Sequence, residues 1–114
     1  MSTRGSDAEA LAAAYLGRHG LALIERNFRV RGGEVDLICR DGKVLVFVEV
    51  RLRTSSRFGG AAASITSSKQ RRVVLAAQHY LAGKPHPACR FDCVLLDALD
   101  PGRIEWLKNA FSAA

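Results

Sequence analysis

GGEVDLICRDGKVLVFVEVRLR, residues 32–53, decides how the rest of the chain is read. Asp41-Gly42 at its centre is a strong two-residue hairpin signal. Residues 34–40 and 43–51 therefore read as paired antiparallel strands. Three acids, Glu34, Asp36 and Glu49, interrupt their Val, Leu, Ile and Phe. Strand interiors disfavour Asp and Glu, and a buried carboxylate is costly unless its charge is offset. With Asp41 and Gly42 as the turn, Asp36 faces Phe47 and Glu34 faces Glu49. Alternation then places Glu34, Asp36, Leu45, Phe47 and Glu49 on one face. Asp36 and Glu49 become diagonal neighbours able to share a ligand. Converging carboxylates repel, raise a pKa or bind a cation. A hard divalent ion such as Mg²⁺ suits them. The competing reading is three acids near strand ends, solvated and paired with arginine. A slip of one residue would also put the acids on opposite faces.

Working outward, Ser6 to His19 reads as a helix. Ser6-x-x-Glu9 offers a capping box, Leu11, Ala12, Tyr15 and Leu16 an apolar face, and Gly20 a stop. Residues 22–30 read as a strand, Gly32-Gly33 as a turn and residues 53–65 as a loop. Ser67 to Leu81 reads as a second helix. Ser67-x-x-Gln70 is its cap, Val73, Val74, Ala77, Tyr80 and Leu81 its apolar face, and Gly83 with Pro85 its end. Residues 90–98 form a strand, Asp100-Pro101-Gly102 a turn, and Ile104 to Leu107 a short last strand. The order α-β-β-β-α-β-β predicts one α/β domain over residues 1–114, a mixed sheet with helices packed on it.

A chain of 114 residues with 48% hydrophobic content fits one core. Its longest apolar run, Val44–Val48, is far short of a membrane span, and its start lacks the apolar core of a signal peptide. A cytoplasmic protein without a membrane partner is expected. The net charge of +6 is localised. Residues 50–91 carry eight basic side chains (Arg51, Arg53, Arg57, Lys69, Arg71, Arg72, Lys84 and Arg90) and no acid. Such a block points to a polyanion, unless it is simply a solvated face. A cation site beside a phosphate-binding surface fits metal-assisted phosphodiester hydrolysis.

Other features carry less. Cys89 and Cys93 on one strand stand roughly 13 Å apart, too far for a disulfide. With Cys39 they read as plain core or half-buried thiols. His19, His79 and His86 have no partner spacing, and no Gly-rich phosphate loop is present. Arg57-Phe58-Gly59-Gly60 reads either as a nucleic-acid-contacting segment with Phe58 stacking on a base or as a loop anchored in the core by Phe58.

Asp36, twelve residues, then Glu49-Val50-Arg51 resembles the PD-(D/E)xK nuclease superfamily. GGEVDLICRDG, LVFVEVRLR, RFGGAAASIT, KQRR and CRFDCVLL together resemble the YraN family, also called UPF0102, from about residue 7 to 111. The resemblance implies a restriction-endonuclease-like α-β-β-β-α-β core and a DNA-directed nuclease using Mg²⁺ or Mn²⁺. It implies Asp36 and Glu49 as metal ligands, with Glu9 or Glu34 assisting. Lys69 and Gln70 would face the nucleic acid from the second helix, alongside Arg53, Arg57, Arg71 and Arg72 of the basic block. Arg51 occupies the position of the catalytic lysine. Arginine does not give up its proton, but it can stabilise a charged transition state. Three functions follow: a modified nuclease, a binding protein that keeps the fold without cleavage, or a protein-interaction module with a basic face. Cutting two strands would suit a homodimer.

Overall fold

The computed structural model describes residues 4–52, 65–85 and 88–113. Along the chain run α1 (Arg4–Arg18), β1 (Ala22–Val30), β2 (Gly33–Asp41), β3 (Val44–Leu52), α2 (Ser67–Leu81), β4 (Cys89–Leu96), a 3₁₀ turn (Pro101–Arg103) and β5 (Ile104–Phe111). The strands form one sheet in the order β1-β2-β3-β4-β5. Only β3 and β4 are parallel, and α2 lies between them in sequence. This is the mixed sheet and the α-β-β-β-α-β core expected above.

The helices cover opposite faces. Ala8, Ala12 and Leu16 of α1 pack with Leu37, Cys39, Val46, Val48, Val94 and Leu96. Val73, Ala76 and Ala77 of α2 pack with Ile38, Phe47 and Phe91. A strand covered on both faces has no polar side, which is why β3 reads as a near-continuous apolar run.

The central hairpin turns one residue later than the sequence suggested. Asp41 pairs with Val44, so Gly42 and Lys43 make the turn. Gly42 has φ +60 and Lys43 is not left-handed, the pattern of a type II′ turn with Gly first, not of an Asp-Gly type I′ turn. The pairing moves by two positions, so every side chain keeps its face. What changes is the neighbour: the register carries Asp36 towards Glu49 itself, not towards Phe47.

α1 starts earlier than expected, and α2 spans Ser67–Leu81 as expected but with a different cap. α1 begins at Arg4, so Ser6 lies inside it and forms no capping box. The Ser6 carbonyl instead accepts from Arg26 Nη2 at 3.2 Å. The cap of α2 is Thr66, whose hydroxyl accepts from the Lys69 N–H at 3.1 Å. Gln70 does not take part in the cap; its amide donates to the Ile65 carbonyl at 3.2 Å. At the far edge, β5 runs on to Phe111 because Asn109, at φ +53, carries a bulge. Of the cysteines, Cys39 and Cys93 are buried and Cys89 is exposed.

Asp92 of β4 is fully buried on the α1 face. Its oxygens accept from Arg90 Nε at 3.0 and 3.2 Å, Trp106 Nε1 at 3.0 Å and the Asn109 N–H at 2.9 Å. Arg90 also reaches Asp41 at 3.0 Å, tying β4 to the hairpin end.

Gly33 sets the height of α2 above the sheet. A Cβ there would stand 2.6 Å from the Arg72 carbonyl oxygen and 3.1 Å from the Ala76 nitrogen. Both are backbone atoms and cannot turn aside. Gly33→Ala is therefore expected to cost about 1–3 kcal/mol by overpacking, read as a lower urea midpoint at unchanged m-value.

Candidate metal centre

The β2–β3 ladder ends at Leu37 and Val48. Past that point the Asp36 side chain replaces backbone pairing: its Oδ2 accepts from the Val50 N–H at 2.9 Å. That bond fixes the carboxylate across β3, beside Glu49. Glu49 itself is fully buried, 0% exposed, with Cys93 of β4 as its other strand neighbour. From α2, Lys69 brings its Nζ to 3.2 Å from Glu49 Oε2. Three ionisable groups from β2, β3 and α2 thus meet on the α2 face of the sheet.

The pair is tightly coupled. Burial is the main reason that the Glu49 carboxyl is pushed up to about 9. A hydrogen bond with Asp36 and the negative charge of Asp36 raise it further, while Lys69 opposes them. Asp36 and Lys69 are close enough to act on Glu49, yet neither is aligned well enough to satisfy it. Both Oε1 and Oε2 are buried without a geometrically sound hydrogen-bond partner among the described residues. A charge at 3.2 Å acts on Glu49 without being aimed at a lone pair.

Two adjacent carboxylates, one buried with unsatisfied oxygens, fit a hard divalent cation such as Mg²⁺ or Mn²⁺. Among the described residues no group of three or more acids, His or Cys is placed to hold a metal. Mg²⁺ tolerates that, since it keeps several waters and takes substrate phosphate oxygens.

The remaining sequence candidates are distributed around this pair. Glu34 lies between Arg29 Nε at 3.3 Å and Arg72 Nη2 at 3.8 Å. Glu9 pairs with Arg26 at 3.4 Å. Each of these acids has an arginine partner, and neither joins Asp36 and Glu49 in a three-ligand set. Arg51, half-buried, lies two residues beyond Glu49 on the same face of β3. Arg71 is exposed beside the start of α2. Arg53, Arg57 and Phe58 lie outside the described residues.

A family model described as "Uncharacterised protein family UPF0102" matches residues 8–96. The chain belongs to the UPF0102 family. It is 65% identical over 112 residues to a UPF0102 protein of Dechloromonas aromatica, covering 98% of this chain and 91% of that protein. A Nitrosospira multiformis UPF0102 protein is 56% identical over 109 residues, covering 95% and 92%. One from Cupriavidus pinatubonensis is 60% identical over 111 residues, covering 95% and 84%. These relatives match this UPF0102 chain over most of their length.

Sequence reasoning missed that Lys69 belongs to the acid pair. The sequence points to Lys69 only as a nucleic-acid-facing residue at the start of the second helix. The available signal was the acid-free first turn of α2, where a lysine opposes the helix dipole and needs another partner.

The raised carboxyl of Glu49 has a definite consequence for stability. From its ordinary value of 4.5 up to about 9, the folded protein keeps a proton that the unfolded chain has released. The unfolded state then binds fewer protons, so stability falls as pH rises through that window and levels off above it. Glu49→Gln is expected to flatten this decline. Urea unfolding in EDTA from about pH 5 to about pH 9 measures it. Parallel slopes for the two proteins would show that Glu49 does not hold the proton.

Proposed function

We propose that this protein binds DNA and hydrolyses its phosphodiester bonds in the cytoplasm, with Mg²⁺ or Mn²⁺ held by Asp36 and Glu49. The observation that carries the reading is a fully buried Glu49 whose two oxygens lack aligned partners, next to a second carboxylate. Evolution of a stable core alone would favour an apolar residue at such a position. The resemblance of Asp36…Glu49-Val50-Arg51 to the PD-(D/E)xK pattern points the same way.

When bound, the metal would polarise a phosphoryl oxygen and lower the pKa of a water. The chain's own residues supply the rest. Asp36 and Glu49 hold the cation, and the Val50 N–H holds Asp36 in position. Arg51 faces the scissile phosphate and offsets charge in the transition state. It is not a base, because guanidinium stays protonated. Arg71 and Arg72 at the start of α2 track the phosphate backbone, and the N-terminus of that helix adds its own positive end. The described residues hold one such acid pair, so a double-strand cut would suit a homodimer.

A second reading, DNA binding without cleavage, rests on Arg51 at the lysine position. Linear, single-stranded and four-way-junction DNA with Mn²⁺, Mg²⁺ or EDTA separates the two. Metal-dependent cutting is expected, abolished by Asp36→Ala and by Asp36→Asn. The second variant matters because its amide oxygen can still accept from the Val50 N–H, so its loss of activity reports charge and not folding. Binding to every substrate with no cutting would favour the second reading.

A further inference from the structure

Lys69 stands where its helix argues against a cation. It is the third residue of α2, whose first turn contains no acid, and a positive charge there meets the positive end of the helix dipole. Its backbone N–H serves the Thr66 cap. Its side chain turns to the sheet and reaches Glu49 Oε2 at 3.2 Å. The contact is not locked. Neither Glu49 oxygen has an aligned hydrogen bond among the described residues, and the Lys69 side chain stays 29% exposed. A lysine is a compact charge on a flexible four-carbon stem, so it can exchange one anion for another without moving the backbone. The second anion position is the open start of the helix. Ser67 and Ser68 are exposed there, and helix-terminal N–H groups favour phosphate.

We propose that Lys69 is a displaceable cation: it lies against Glu49 and offsets the charge of the Asp36–Glu49 pair, which Asp36 carries, while no metal is bound, and passes to a phosphate of the nucleic acid when a divalent cation takes Glu49. This rests on the metal reading above. It makes metal binding and DNA binding mutually reinforcing. The metal frees the lysine that grips the phosphate, and the phosphate keeps that lysine off Glu49. Linkage requires the two effects to be equal in free energy.

The test is calorimetric titration of Mn²⁺ into the DNA-free protein, for wild type, Lys69→Met, Lys69→Gln, Lys69→Arg and Glu49→Gln. Removing the competing charge is expected to tighten Mn²⁺ binding about tenfold or more in Lys69→Met. Lys69→Gln, which keeps a donor for Glu49, gives the same answer should the Met variant fail to fold. Lys69→Arg keeps the charge and is expected to bind Mn²⁺ like the wild type. A second readout uses DNA. With Ca²⁺ present, the salt dependence of binding should be steeper for wild type than for Lys69→Met by about one phosphate contact, and without metal the slopes should coincide.

Mn²⁺ affinity unchanged or weakened in both neutral variants overturns the proposal while leaving the metal site standing. Wild type that binds no Mn²⁺, or Glu49→Gln that binds it as the wild type does, overturns the metal reading and this inference with it. The wild-type and Glu49→Gln titrations therefore tell the two failures apart.

Discussion

A carboxylate at the centre of a sheet covered on both faces must find its compensation inside the protein, and this chain meets that constraint twice. Asp92 on the α1 face receives two contacts from Arg90, one from the Trp106 indole and one from the Asn109 amide. Its lone pairs are filled, and it joins β4 to β5 and, through Arg90, to Asp41 at the hairpin end. Glu49 on the α2 face is as deeply buried, yet it has only a misaligned ammonium and another carboxylate. Burial alone does not separate the two, but satisfaction does. A filled carboxylate is a structural joint, and an unfilled one is a site awaiting a ligand.

The difference explains what could be read in advance. Asp36 and Glu49 were visible because they violate strand chemistry on neighbouring strands, and the hairpin brings neighbouring strands together. The turn lies one residue later than Asp41-Gly42 suggests, which moves the pairing by two positions and leaves the shared face intact. Glu34 and Glu9 were equally visible as acids. Arg29 faces Glu34 across the β1–β2 turn, a local pairing, but Arg72 for Glu34 and Arg26 for Glu9 come from distant parts of the chain and no local pattern announces them. Asp92 violates strand chemistry as plainly as Glu49 does. Its role escaped notice because its partners include a tryptophan and a backbone amide from a bulge at Asn109, which itself reads as a strand end.

Helix boundaries divide along similar lines. The limits of α2 follow from its own sequence, with Gly83 at φ +75 just beyond its end. The cap at Thr66 is a choice among neighbouring hydroxyls (Thr66, Ser67 and Ser68), and the tertiary position of the helix decides it. That choice matters for the site. It makes Lys69 the residue whose amide is capped, which fixes where its side chain leaves the helix.

The position of the Lys69 ammonium is in turn set some distance away. Arg72 and Ala76, one and two turns further along α2, rest their backbone against Gly33 at the start of β2. A side chain at that glycine would lift the helix at the contact, and Lys69 rides on the same rigid element. The contact between Lys69 and the acid pair tolerates little of this, because Coulomb attraction to a buried group weakens with separation and with the water that a gap admits. A glycine on β2 therefore governs the electrostatics of a glutamate on β3 through a helix that touches both. The three-element geometry also explains why an isolated Asp…Glu-x-Arg pattern says little by itself: the acids supply the site, and the helix that compensates them is placed by a residue with no side chain.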